Sequence, residues 1–409
     1  MKTNSFNFLS GSVAGIGLLA TAFALPLPAL AQSNNVDMAV NNPDPLPTRS
    51  LSKGEIENAK PFINPLPAPD TILVEPANGF SAVEDQPASV PGAKGQQTTG
   101  PRAYGSFGVP FTSKRVTHQP VSVVASSSGN YLSATYPYRA IGRLTFNAGF
   151  CSASLIRKSV IVTAAHCIQD FGSGSNTFSG WTFTPASYNG SAPYGSWGWQ
   201  ALVRPASWIN GTDIGSGSAR DNDLAVIILR KNAQGQFIGN ITGQLSYGWN
   251  NYSFVKSNLT GNLWTAALTT LGYPFLLDAG RILERSDGPS YLTSISGAGQ
   301  IYQGSNFTGG SSGGPWIANF GYQNPAFAGG ANGGLASNNN VVVGVTSWGA
   351  SDPNVRKDNW SSQFRQNTRY PLANYGGFGA GNIASLLYTV CSAKPTGSTL
   401  TYQQLGYCN

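Results

Sequence analysis

Ser312, His166 and Asp223 are a nucleophile, a base and a group able to orient that base. His166 sits in Thr163-Ala164-Ala165-His166-Cys167. Asp223 opens Asp223-Leu224-Ala225-Val226, and Ser312 lies in Gly310-Ser311-Ser312-Gly313-Gly314-Pro315. A lone serine hydroxyl is almost fully protonated at neutral pH and attacks poorly. An imidazole within hydrogen-bond reach takes its proton during attack, while a carboxylate fixes the imidazole tautomer and stabilises the imidazolium. Glycines around the serine let the N–H groups of Gly310 and Ser312 converge on a developing oxyanion. The chemistry this pattern suits is acyl transfer through a serine.

Each assignment has a competitor. A histidine taken alone is more often a satisfied core residue than a base. His166, however, ends a β-branched run, and the chain's other histidine, His118, has no strand context. Asp221 could serve in place of Asp223, but Asp223 directly precedes the apolar run Leu224-Ala225-Val226-Ile227-Ile228-Leu229, whereas Asp221 is expected in a solvated turn. The serine motif also fits the G-x-S-x-G elbow of another hydrolase fold. That fold needs its histidine after the serine, and none follows residue 166. A plain glycine-rich loop remains open for the motif in isolation.

The elements that must carry these residues read as strands. Arg139–Phe146, Cys151–Ile156, Val160–Ala164 and Val341–Thr346 are short β-rich runs broken by Gly, Asn and Ser. With 50 Gly, 26 Pro and 10% charged residues in 409, the composition favours an all-β protein over a helical bundle. The one clear helix is expected at Asn382–Val390, starting on an N-cap residue. Cys151, Cys167, Cys391 and Cys408 include no C-x-x-C, and with two histidines they argue against a zinc site. Two disulfides are expected instead. A Cys151–Cys167 bridge would pin the base and a Cys391–Cys408 bridge would close the tail, although other pairings stay open.

The N-terminus speaks for export. Lys2 precedes an apolar run from Gly11 to Leu30 that ends in Ala29-Leu30-Ala31, a pattern suited to signal-peptide cleavage before Gln32. A membrane anchor is the alternative, opposed by Pro26 and Pro28. Residues 32–115 are Pro-, Ser- and Asn-rich and read as a largely disordered propeptide or spacer, with one short helix conceivable over Lys53–Lys60 and a processing site at Lys114-Arg115. The net charge of +7 arises after residue 115, where sixteen Lys/Arg face nine Asp/Glu as scattered singles and pairs. A nucleic-acid groove would need a basic stripe interleaved with aromatics, so no nucleic-acid partner is expected.

With Ser347-Trp348-Gly349 added to the three motifs above, the chain resembles the trypsin/chymotrypsin family of serine proteases over roughly residues 116–391. Tyr136-Pro137-Tyr138-Arg139-Ala140-Ile141 is more similar to its bacterial, V8-like (glutamyl endopeptidase-like) branch. The resemblance implies two six-stranded antiparallel β-barrels, one at 116–235 and one at 236–409 including the C-terminal helix and tail. His166 and Asp223 would lie on the first barrel and Ser312 on the second. Ser347–Gly349 would pair with the substrate backbone as an added strand. Two departures bear on function. Trypsin-type zymogens carry an aspartate before the nucleophile, and this chain has Ser311, so that activation switch should be absent. The base of the specificity pocket falls on uncharged Asn306, beside Phe307, and Thr346 stands where glutamate-specific members have histidine. The expectation is a secreted, monomeric endopeptidase that acts on proteins or peptides with a neutral residue before the scissile bond, without cofactor or metal. A non-catalytic relative that binds extracellular partners is the alternative.

Overall fold

β-branched and aromatic residues in runs of four to ten pair into two closed sheets, and the pairing register decides which loops meet. The structure, a computed structural model, describes residues 36–40, 105, 107–116, 132–258, 261–322, 338–349 and 357–409. The expected signal peptide, the helix at 53–60, His118 and most of the Pro-rich segment lie outside the described residues. In chain order the strands are β1 (Val36–Val40), β2 (Thr112–Arg115), β3 (Ile141–Phe146), β4 (Gly149–Arg157), β5 (Val160–Thr163), β6 (Thr182–Pro185) and β7 (Trp197–Pro205). A small hairpin of β8 (Gly215–Ser216) and β9 (Ala219–Arg220) precedes β10 (Ala225–Leu229). Then follow β11 (Ser246–Tyr247), β12 (Val255–Ser257), β13 (Leu263–Gly272), β14 (Glu284–Ile295), β15 (Ala298–Gly304), β16 (Pro315–Ala318), β17 (Val341–Gly349) and β18 (Asp358–Gln363).

The first sheet runs β1-β7-β10-β5-β4-β3-β6 and closes where β6 pairs back onto β7, Phe183 opposite Trp197. Six of its strands thus form a barrel, with β1 added outside along Ala201–Pro205 of β7. The second sheet runs β12-β13-β16-β17-β18-β15-β14-β2 and closes through β13 with β14, giving a second six-stranded barrel. Closure leaves few unpaired strand edges, which suits a chain so rich in short strands. Val160, Ile161, Val162, Val226, Ile227 and Ile228 are fully buried, and each such side chain contributes up to about 1.5–3 kcal/mol relative to exposure.

Single helical turns α1 (Ala206–Ile209) and α2 (Gly239–Thr242) punctuate the chain, and the expected C-terminal helix is present as α3 (Gly381–Ser392). The N-cap position is Ala380, and Asn382 lies within the first turn, where its Oδ1 accepts the Ile383 N–H at 2.8 Å. Its carboxamide is buried, accepting from the Arg365 N–H and donating to Gln363 O and Asn222 Oδ1, so it ties the helix to β18 and to the Asp223 loop. Although last in sequence, α3 packs on β7 and β10 of the first barrel. The tail follows it, with N–H groups of Lys158 and Ser159 donating to Asn409 O and Tyr407 O. At the other end, β2 joins the second barrel through β14. Val116 follows it fully buried, its N–H on Leu283 O. A protease would have to unpair β2 to reach the Arg115–Val116 bond.

Candidate active site

Antiparallel pairing of β5 with β10 sets Thr163 opposite Ala225. The chain leaving β5 and the chain entering β10 therefore emerge side by side, and His166 and Asp223 emerge with them. The imidazole Nδ1 lies 2.8 Å from Asp223 Oδ2, and the His166 backbone N–H donates to Asp223 Oδ1 at 3.0 Å. The carboxylate's third hydrogen bond comes from the Ser347 hydroxyl, which donates to Asp223 Oδ2 at 2.6 Å. Asp223 is fully buried and His166 is 3% exposed. Three donors converging on one carboxylate compensate its loss of hydration, as a buried charge requires.

Asp221 is not in a solvated turn. It is 1% exposed, paired with Arg365 Nη2 at 2.6 Å, and accepts the Gly299 N–H at 2.7 Å. The acidic neighbour thus fastens β15 and the end of β18 to the loop, while Asp223 alone of the two meets the imidazole. Nothing in the local sequence separates these roles, because the partners of Asp221 come from residues more than seventy positions away.

The Ser312 turn lies between β15 and β16. Ser311 folds it shut, its N–H and its hydroxyl both donating to Thr308 O at 3.1 and 2.7 Å. Gly310 (φ +93°) and Gly313 (φ +77°) occupy left-handed backbone that a side chain would strain. They are also closely packed. A methyl at Gly310 would strike the Phe150 ring, and one at Gly313 would strike Thr163 Oγ1 and the Ser152 carbonyl. Gly313 therefore brings the Ser312 turn against the residues leading into His166. Ser312 itself is 5% exposed.

β4 fastens both halves of this arrangement. Cys151 is bonded to Cys167, the residue after His166, and the second bridge joins Cys391 to Cys408. Among the described residues the one cluster of metal-ligating types is Cys151, His166 and Cys167, and both its sulfurs are spent in that disulfide. Ser152, pointing the opposite way as strand alternation demands, reaches the other barrel. Its N–H donates to Ser312 O (2.8 Å), its hydroxyl donates to Gly310 O (2.9 Å), and that hydroxyl accepts the Tyr273 N–H (2.9 Å). Sequence reading passed over Ser152, since a serine in a strand carries no signal until its partners are known. Ser152→Ala leaves a buried carbonyl and a buried N–H unpaired, each costing about 1–3 kcal/mol. The expected result is a loss of about 2–4 kcal/mol in urea unfolding; a loss under about 0.5 kcal/mol would show that the hydroxyl is not a brace.

The residues expected to bind substrate divide into two groups. Thr346, Ser347, Trp348 and Gly349 end β17, and all but Gly349 are buried, while Phe307, also buried, accepts the Asn359 amide of β18 on its carbonyl at 3.0 Å. Thr346 Oγ1 accepts the Trp316 indole N–H at 2.9 Å, and Trp348 stacks on Trp360 with ring centroids 3.9 Å apart. Asn306 instead lines a cavity of about 320 Å³ with Ser113, Lys114, Arg115, Asp278 and Glu284, and its Oδ1 is buried without a partner. In that cavity burial pushes the Glu284 carboxyl up to about 9, reinforced by the adjacent Asp278 carboxylate, so Glu284 keeps its proton at neutral pH. Asp278 forms a two-pronged ion pair with Arg115 of β2.

Residues 128–359 match the family model described as Trypsin. The chain is 32% identical over 197 residues to a glutamyl endopeptidase of Bacillus licheniformis, covering 47% of this chain and 54% of that protein, so it spans about half the length of this curated relative. Similar solved structures include a thermostable serine protease, AL20, from an extremophilic microorganism (23% identity, 56% of this chain and 92% of that one, TM-score 0.42). Another is a Glu endopeptidase in complex with MPD (19% identity, 61% and 91%, TM-score 0.40).

Proposed function

We propose, from the premise that the chain belongs to the trypsin family, that it is a serine endopeptidase in which Ser312, His166 and Asp223 act together. The observation that carries this reading is the buried array in which His166 Nδ1 and the Ser347 hydroxyl share Asp223 Oδ2. A carboxylate so placed holds the imidazole proton on Nδ1 and leaves Nε2 as the acceptor. Ser312 Oγ attacks the peptide carbonyl as His166 Nε2 takes its proton. The N–H groups of Gly310 and Ser312 receive the oxyanion, and His166 then protonates the leaving amine. Water repeats the cycle on the acyl-enzyme and releases the acid. The steps draw on no metal or cofactor.

The substrate backbone is taken to pair with Ser347–Gly349, which β18 covers on one side while β16 pairs with β17 only as far as Val345. The preferred residue before the scissile bond is neutral. What supports this is the uncharged set Phe307, Thr346 and Gly349, with the Thr346 hydroxyl already engaged by Trp316. Ser311, closed onto Thr308 O, has no carboxylate with which to capture a new N-terminal amine, so activation does not follow the trypsin-type switch. The chain is read as a secreted, monomeric enzyme with the segment before residue 116 as its propeptide. Among the described residues no helix is long and apolar enough to cross a membrane.

A fluorophosphonate probe tests the reading. The processed protein is expected to take up one equivalent, and peptide mapping should place it on Ser312. Labelling elsewhere, or none by a folded and processed protein that also cleaves no peptide, would favour the non-catalytic binding protein.

A further inference from the structure

We propose that Arg115, on β2, is a positioning residue for the reaction: through Asp278 it holds the loop of residues 274–280, which in turn sets the direction of the Gly310 N–H. The inference rests on the endopeptidase reading and applies while β2 stays paired with β14. The loop follows β13 and is bonded to the residues leading into the Ser312 turn. The Phe275 N–H donates to Gly309 O at 2.7 Å, and the Leu276 N–H donates to Thr308 Oγ1 at 3.2 Å. Gly280 then packs on the Phe150 ring, the same ring that Gly310 packs on. Gly309 O and the Gly310 N–H belong to one planar trans peptide and point in opposite directions. Fixing the carbonyl on Phe275 therefore aims the N–H away from it, as a donor to the proposed oxyanion requires.

The loop does not hold itself in this shape. Asp278 (φ +50°), Ala279 (φ +52°) and Gly280 (φ +64°) are consecutive left-handed residues, a conformation that strains the first two. Apolar packing gives little help, since Phe275 is 40% and Leu276 53% exposed. What opposes the strain is the two-pronged pair, with Arg115 Nε on Asp278 Oδ2 at 2.6 Å and Nη2 on Oδ1 at 2.7 Å. An exposed ion pair is ordinarily weak, and a bidentate one on a fixed base is the exception. Here the base is fixed. Arg115 sits opposite Glu284 in the β2–β14 ladder, and the next N–H, of Val116, is bonded to Leu283 O. Glu284 keeps its proton and shares a hydrogen bond with Asp278, which leaves Asp278 as the anion that meets the guanidinium. Without Arg115 the loop relaxes towards right-handed backbone, the Phe275 N–H leaves Gly309 O, and the Gly309–Gly310 peptide is free to turn.

The test measures kcat and KM on one peptide p-nitroanilide for the wild type, Arg115→Gln, Asp278→Asn and the double variant. Active enzyme is counted by fluorophosphonate labelling carried to completion, and only preparations with the same N-terminus by mass spectrometry are compared. Both single variants are expected to lower kcat by about tenfold, part of the roughly 10²–10³ that a lost oxyanion donor costs. KM should change by less than about twofold. The double variant should fall no further than the worse single one, because the two side chains form one interaction. Binding of a peptide aldehyde, whose adduct carries the oxyanion, should weaken by the same factor as kcat. A purely structural loss would lower the labelled fraction and leave kcat per labelled site unchanged, and that result overturns the proposal. So does a kcat within about twofold of wild type, or losses that add in the double variant. A fully active enzyme that begins at Val116 and has shed β2 overturns it as well. Arg115→Gln alters a proposed processing residue, so if it fails to mature, Asp278→Asn alone decides. A wild type that neither labels nor cleaves overturns the endopeptidase reading itself.

Discussion

Replacing Ser312 with alanine is expected to lower kcat on a peptide p-nitroanilide by about 10⁶-fold, with the protein still folded. The change removes one oxygen from a turn whose shape is set elsewhere. Ser311 closes it through Thr308 O, Gly313 N–H donates to Thr346 O at 2.7 Å, and Ser152 holds the Ser312 carbonyl. Unfolding free energy should therefore move by less than about 0.5 kcal/mol. On the proposed mechanism the whole loss falls on the chemical step, because without Oγ there is neither an attacking atom nor a proton for His166 to accept. What remains, about 10³–10⁴-fold over water, comes from the oxyanion donors and substrate positioning. A residue acting as part of a unit gives a non-additive loss, so adding His166→Ala should cost little more. A fall of less than about a hundredfold would mean that another group attacks, and the assignment would be withdrawn.

Asp223→Asn should cost about 10⁴-fold in kcat, and the geometry dictates why. The His166 backbone N–H can only donate, so the position that faces it must remain an oxygen. The amide nitrogen is then forced into the place of Oδ2, where it points its protons at His166 Nδ1 and the Ser347 hydroxyl. The imidazole is expected to answer by moving its own proton to Nε2, the atom proposed to receive the proton of Ser312. The expected loss of activity thus comes from the wrong tautomer, with packing unchanged. The matching control is Asp221→Asn, whose partner Arg365 lies away from the imidazole and whose effect should fall on stability. If Asp223→Asn keeps more than about a tenth of wild-type kcat, the orienting role passes to another group.

The large elements were legible because local pattern and burial agreed. Ala225–Leu229 is a short unbroken apolar run rich in β-branched residues, as suits a strand buried on both faces. α3 showed itself by apolar spacing. The two disulfides fell where short intervals allowed them. What escaped the sequence were residues whose partners are remote. Ser152 and Asn359 are small polar residues inside strands, and their meaning lies 158 residues away at Gly310 and 52 away at Phe307. Asp221 looked solvated because its neighbours are polar, yet Arg365 and Gly299 enclose it. Asn382 looked like the N-cap because it stands at a helix start, whereas Ala380 holds that position and the Asn382 amide reaches both the first turn and β18.

The crosswise attachment of the two chain segments has a consequence for the order in which the molecule can be completed. The barrel that carries His166 is finished by α3 and the Cys391–Cys408 tail, which are made after both barrels. The barrel that carries Ser312 takes in β2, which is made before either barrel begins. A nascent chain therefore has to keep an early strand waiting for its partner and an early barrel open at one side until its helix arrives. Such long-range closures are slow. During that interval the polypeptide would itself be a substrate for the proposed activity, and the groups proposed to cut it stay unassembled until both barrels and α3 have been made.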